Sequence, residues 1–113
     1  MTIEQLIVKH LNDTLSVPAY GEVPHDPQVS SYCTVERTGG GVTDRLRTAM
    51  ITIDIYGPSM VAVQNLNEEV LAAMDRLVEH NMVASCRLNS NYNDTDTTTK
   101  EYRYGALFDI VHY

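Results

Sequence analysis

The sequence predicts an α+β fold: a mostly antiparallel β-sheet with two helices packed on one face, in the order α-β-β-β-α-β-β. Three observations predict it. Ala49, Ile51, Ile53 and Ile55 recur every second residue, as in a strand with one face in a core. Two segments, residues 2–15 and 59–80, instead repeat apolar residues at steps of three and four. Stretches rich in Gly, Pro, Asn and Thr separate the strand-like runs, so hairpins and one helical crossover join them.

Each element has its own reason. Thr2 and Gln5 have capping-box spacing, and Ile3, Leu6, Ile7, Leu11 and Leu15 form one stripe, so a helix starts at residue 2. Pro18 ends it and leaves a short edge strand over residues 17–20; the prolines beyond make residues 21–30 a loop. "SYCTVERT" alternates as a strand, with Cys33 and Val35 on one side. Gly39, Gly40 and Gly41 then read as the turn of a hairpin whose second strand is residues 45–56. Ser59 is an N-cap for the second helix, whose buried stripe is Val63, Leu66, Val70, Ala73, Met74 and Leu77. The start of that helix, "SMVAVQN", is apolar off the stripe as well and offers a contact to another chain. Residues 83–88 form a strand with Ala84, Cys86 and Leu88 on one side. The polar run "NSNYNDTDTTTK" is a mobile loop or projecting hairpin tip, and residues 101–113 are the last strand. Its two apolar faces, Ala106, Phe108 and Ile110 against Leu107 and Val111, make it central or place it against a second subunit. Met50, Tyr56, Leu107, Val111, Tyr104 and Tyr113 give the second face of the sheet more grease than solvation requires.

Composition bounds the function. A chain of 113 residues, 43% apolar and 20% charged, is one globular domain, residues 1–113, with a core of its own. Its formal charge of −7 opposes gripping the outside of a nucleic acid, where affinity comes from Lys and Arg. Cys33 and Cys86 lack metal or redox spacing and read as small buried hydrophobes. No secretory leader and no apolar run of membrane length is seen, so a soluble cytosolic protein is expected.

Chemistry is sparse. "TGGG" lacks the Gly-Lys-Ser/Thr ending of a phosphate loop, and a strand follows where a helix would be needed. His10, His25, His80 and His112 show no metal spacing; His10 reads as a helix-surface residue. Asp94 and Asp96 lie in a run that lacks the Gly and terminal Glu of a calcium loop. No cofactor and no catalytic residue is expected. Arg37, Arg45 and Arg47 cluster near the glycines, either as surface ion pairs with Glu36 and Asp44 or as a charged contact with a neighbour.

The layout and several short motifs carry a family likeness. A first helix leads into "LSVPAYGEVPHDP" and "YCTVERTGGG"; "AMITIDIYGPS" leads into "MVAVQNLNEEVLAAM"; "YRYGALFDIVHY" closes the sequence. Over nearly its whole length the chain resembles the tail terminator, or tail-completion (minor tail), proteins of long-tailed bacteriophages. The resemblance implies a structural virion protein without enzymatic activity. Such a protein forms a ring, usually of six copies, at the head-proximal end of the tail tube. There it stops tube growth and joins the head connector. Implied partners are other copies of itself, the tail-tube protein and the connector; DNA passes through without specific binding, and no membrane is involved. The implied location is the virion neck, after assembly in the host cytoplasm. The expected contacts are Arg37, Gly39, Gly40, Gly41, Asp44, Arg45, Arg47, Met50 and Tyr56, with Asp94, Asp96, Arg103 and Tyr104. The competing reading is a small cytosolic homo-oligomer that holds a metabolite between protomers.

Overall fold

The computed structural model describes residues 1–25 and 29–113. The rest of the proline-rich loop predicted after Tyr20, residues 26–28, lies outside them. The chain runs α1 (Ile3–Thr14), β1 (Ala19–Tyr20), β2 (Tyr32–Thr43), β3 (Leu46–Gly57), α2 (Met60–Asp75), a 3₁₀ turn (Leu77–Glu79), β4 (Val83–Asn93) and β5 (Tyr102–His112). The five strands make one sheet in the order β1-β2-β3-β5-β4, antiparallel except for the parallel β1–β2 pair. This is the α+β fold the sequence predicts.

Local chemistry sets the helix starts. Thr2 Oγ1 accepts from Gln5 N–H at 3.1 Å and Gln5 Oε1 accepts from Thr2 N–H at 2.8 Å, a complete capping box. Ser59 Oγ accepts from Ala62 N–H at 3.2 Å and caps α2. The α-helix ends at Asp75, earlier than the apolar stripe suggests. Arg76 caps it (φ −90°, ψ −3°) with its N–H on Ala73 O and Met74 O, and the 3₁₀ turn that follows carries Leu77 into the core.

The core lies between both helices and one face of the sheet. Ile3, Ile7 and Leu11 of α1 and the whole predicted stripe of α2 meet Cys33, Val35, Ala49, Ile51, Ile53, Ile55, Ala106, Phe108 and Ile110. Burial pushes the Cys33 thiol up to about 12 and the Cys86 thiol up to about 11, so both are protonated and unreactive near neutrality. The phase of β4 differs from the simple alternation. Bulges between Val83 and Ser85 and between Leu88 and Ser90 turn Val83 inward and leave Ala84 exposed.

One part-buried polar contact joins α2 to the sheet, and a buried one joins α1 to α2. Asn67 and Asn91 exchange side-chain hydrogen bonds of 2.9 and 2.8 Å between α2 and β4, and Asn91 Nδ2 also donates to Gly105 O. His10 is buried, contrary to its surface reading. Its Nε2 lies 2.7 Å from Ala73 O, which only accepts, so Nε2 carries the proton. In the neutral ring Nδ1 then accepts from His80 Nε2–H at 3.1 Å.

Candidate self-association surface

Both helices cover one face of the sheet and leave the other bare. Strand register puts Met50, Thr52, Asp54, Leu107 and Val111 on the bare face. Met50 is 38% exposed, and the other four are half-buried. Asp54 sits low among them, and burial raises its carboxyl above the usual 3.8, with Arg103 opposing the shift. At one end of this face Tyr32 stacks on Tyr56 (centroids 4.6 Å apart), with Tyr20 edge-on to Tyr32 and the Arg103 guanidinium 5.7 Å above Tyr56.

The strands outrun the core and form an arm at each end of a body 45 Å long and about 25 Å across. The first arm is the end of the β2–β3 hairpin. The three glycines do not form its turn. They lie within β2, opposite Met50, Ala49 and Thr48. The turn is Asp44–Arg45, with φ of 50° and 70°. That is the geometry of a two-residue hairpin turn, built here without glycine at roughly 1–2 kcal/mol of strain for the arginine.

Gly40 has another purpose. A bulge between Arg37 and Gly39 carries Gly40 to φ 147°, and a Cβ there would lie 2.2 Å from Thr48 O and 2.4 Å from Arg37 Nη2. The bare glycine backbone is therefore a seat for the guanidinium. Arg37 Nε donates to Gly39 O at 3.0 Å and Nη2 to Thr48 O at 3.4 Å. Among the described residues, Arg37, Arg45 and Arg47 have no carboxylate within salt-bridge distance, so of the two alternatives the surface pairs with Glu36 and Asp44 do not form.

Arg37 and Arg47 reach a cavity of about 540 Å³ between this arm and the first turn of α1. His112 also lines it. That residue is only 7% exposed, and its Nε2 has no hydrogen-bond partner among the described residues. Leaving such an atom buried and unpaired costs about 1–3 kcal/mol.

The second arm is the end of the β4–β5 hairpin. The strand β4 runs to Asn93, so half of the predicted loop is ladder and the rest is a tight tip. Asn93 Oδ1 accepts from Thr95 N–H, and Asp96 Oδ1 accepts from the amides of Thr98 and Thr99. These bonds hold the Asp96 carboxyl below its usual range. Arg103 pairs with Asp94 at 2.8 Å and Glu101 at 3.8 Å. Tyr92 lies over Gly105, where a Cβ would come 2.5 Å from its ring.

The predicted contact residues thus fall into two groups. Arg37, the glycines, Asp44, Arg45, Arg47 and Met50 belong to the first arm and its root; Tyr56, Asp94, Asp96 and Arg103 gather at the second. Tyr104 belongs to neither the bare face nor its grease. It lies opposite Ile55, on the helix side, within 3.5 Å of Gln64 Nε2. The two-residue period through Ile110, Phe108 and Ala106 extends to Tyr104, so that signal is present in the sequence. His112, Tyr32 and Tyr92 matter in the structure and are absent from the contacts expected from sequence. The His112 signal is its shared phase with the same core residues.

Among the described residues, no three His, Cys, Asp or Glu side chains come together to hold a metal ion, and no helix is long and apolar enough to cross a membrane. No family model and no curated protein matches the chain.

Proposed function

We propose that the chain is a structural subunit of a long-tailed bacteriophage. In this reading six copies close into a ring at the head-proximal end of the tail tube, stop its growth and join the tail to the head connector. The observation that carries the proposal is the one-sided sheet. Helices cover one face, while the other keeps Met50, Leu107 and Val111 only partly covered. Two features add to it. Among the described residues the outer edge of β2 is paired only at Cys33 and Thr34, and β4 is an edge strand, so the sheet ends in two different edges. Val61, at the start of α2, is 66% exposed. Different patches that fit one another are what a cyclic assembly uses. The −7 charge suits a passage that DNA crosses without sticking.

Sedimentation and negative-stain imaging of the purified chain, with and without tail-tube protein, test the reading. Rings near six times 12.7 kDa that cap tubes of uniform length are expected. A chain that stays monomeric with tubes present overturns it. A dimer or tetramer stabilised by one metabolite would put the small-molecule reading in its place.

A further inference from the structure

We propose that the cavity behind the first arm is a carboxylate socket, filled by the acidic tip of the second arm of another copy of this chain. That occupant rests on the ring reading above. The socket is built. Arg37 enters it from β2, already oriented by Gly39 O and Thr48 O. Arg47 enters from β3, directly opposite His112 of β5. The buried Nε2 of His112 has no partner among the described residues. Glu4 is the acid on the rim, and it pairs with neither arginine. The capping box already occupies the amides of Thr2 and Gln5, so the two guanidiniums carry the attraction rather than the helix end.

Charge and geometry name the occupant. Arg37, Arg45 and Arg47 against Asp44 leave the first arm at +2, in a chain of −7. Asp94, Asp96 and Glu101 against Lys100 and Arg103 leave the second arm at −1, and Asp96 is the acid there that Arg103 does not pair. Asp96 Oδ1 accepts from the amides of its own turn, and the side chain is exposed at the tip. Register puts the arms at opposite ends: Arg47 pairs with His112 at one end and Gly57 with Tyr102 at the other. Ten residues of strand separate them, about 33 Å. No molecule can fill its own socket, so the contact runs head to tail, the kind that closes into a ring when its rotation allows.

Two full-length variants test this, each checked for folding by circular dichroism. Arg47→Glu and Asp96→Lys should each weaken self-association about tenfold or more, because each sets like charges face to face. Mixed one to one, they should recover the assembled mass. The reversed socket of the Arg47→Glu chain then accepts the reversed tip of the Asp96→Lys chain, and native sockets accept native tips in alternation. Raising salt from about 50 to about 500 mM should weaken the native assembly, a readout that needs no variant. If the native chain assembles and Arg47→Glu assembles equally well, the socket is wrong and the ring stands. If the folded variants fail to recover on mixing, the tip is not the occupant and the proposal falls. If acetate or phosphate stabilises the chain and its assembly ignores Arg47→Glu, the cavity is a small-anion site and the proposal falls. If the native chain never associates, the ring reading fails and takes the socket with it.

Discussion

The two arms share one plan and differ in how their charges are met. Each is an antiparallel hairpin that runs past the core, and each carries arginine. In the second arm Arg103 lies among Asp94, Glu101 and the Tyr56 ring, and the tip closes on its own Asn and Asp side chains. In the first arm Arg37 has only carbonyls, Arg45 occupies a left-handed turn position, and the arginines lack carboxylate partners among the described residues. The comparison separates a hairpin whose arginine meets carboxylates of its own molecule from one whose arginines meet none among the described residues. Net charge alone does not show this, because the uncompensated cations belong to an acidic chain.

The largest expected effect concerns the glycines. Gly40→Ala forces a Cβ against Thr48 O at a positive φ and should cost about 2 kcal/mol, read as a lower melting temperature. Gly41→Ala, whose Cβ would meet only Thr48 Oγ1 at 3.8 Å, should change stability by less than about 0.5 kcal/mol. Equal losses at the two positions would break the view that Arg37 needs a seat.

Next comes removal of each arm's guanidinium. Arg103→Met should destabilise the chain by about 1 kcal/mol in denaturant titrations, because Asp94, Glu101 and half-buried Asp54 lose their cation; the pair's partial exposure keeps the figure small. Arg37→Gln should stay within about 0.5 kcal/mol of the parent, since it breaks no ion pair within the molecule. If the Arg37 change costs more than the Arg103 change, the contrast between the arms is reversed.

The smallest effect is a pH dependence. The folded Asp54 carboxyl is raised above 3.8, so the folded state prefers it protonated. Stability from this group is greatest below 3.8 and falls as pH rises through the raised value. Asp54→Asn should therefore melt slightly higher than the parent at pH 7, by under about 1 kcal/mol, and the advantage should vanish below about pH 4. Melting curves from about pH 3.5 to 7 measure it, and an advantage that grows in acid would show that the sign is wrong.

The strands and helices are legible because local period defines them. Ala49 through Ile55 and the stripe from Val63 to Leu77 need no partner to be read. The glycines mislead because glycine most often marks a turn, whereas Gly40 answers to Arg37 and Thr48, and that pairing is visible only once the strands are in register. The real turn, Asp44–Arg45, carries no glycine to announce it. His10 misleads for a similar reason: its partners Ala73 and His80 are 63 and 70 residues away in sequence. Tyr104 is a different case, since the alternation of β5 already places it on the helix side. The arginines stand out in the sequence, but their lack of partners does not, because it depends on where every carboxylate comes to rest.

The length of the strands has a mechanical consequence. The hydrogen bonds of an antiparallel ladder lie across the strand direction. A load applied between the two arms runs along β2, β3, β4 and β5, whose three long ladders lie side by side. Each bond is then pulled sideways together with its neighbours, and a whole row must slip before any strand comes free. A load across the sheet would instead open the row one rung at a time. Joined arm to arm, such subunits would make a hoop that resists stretching around its circumference far better than peeling at its rim.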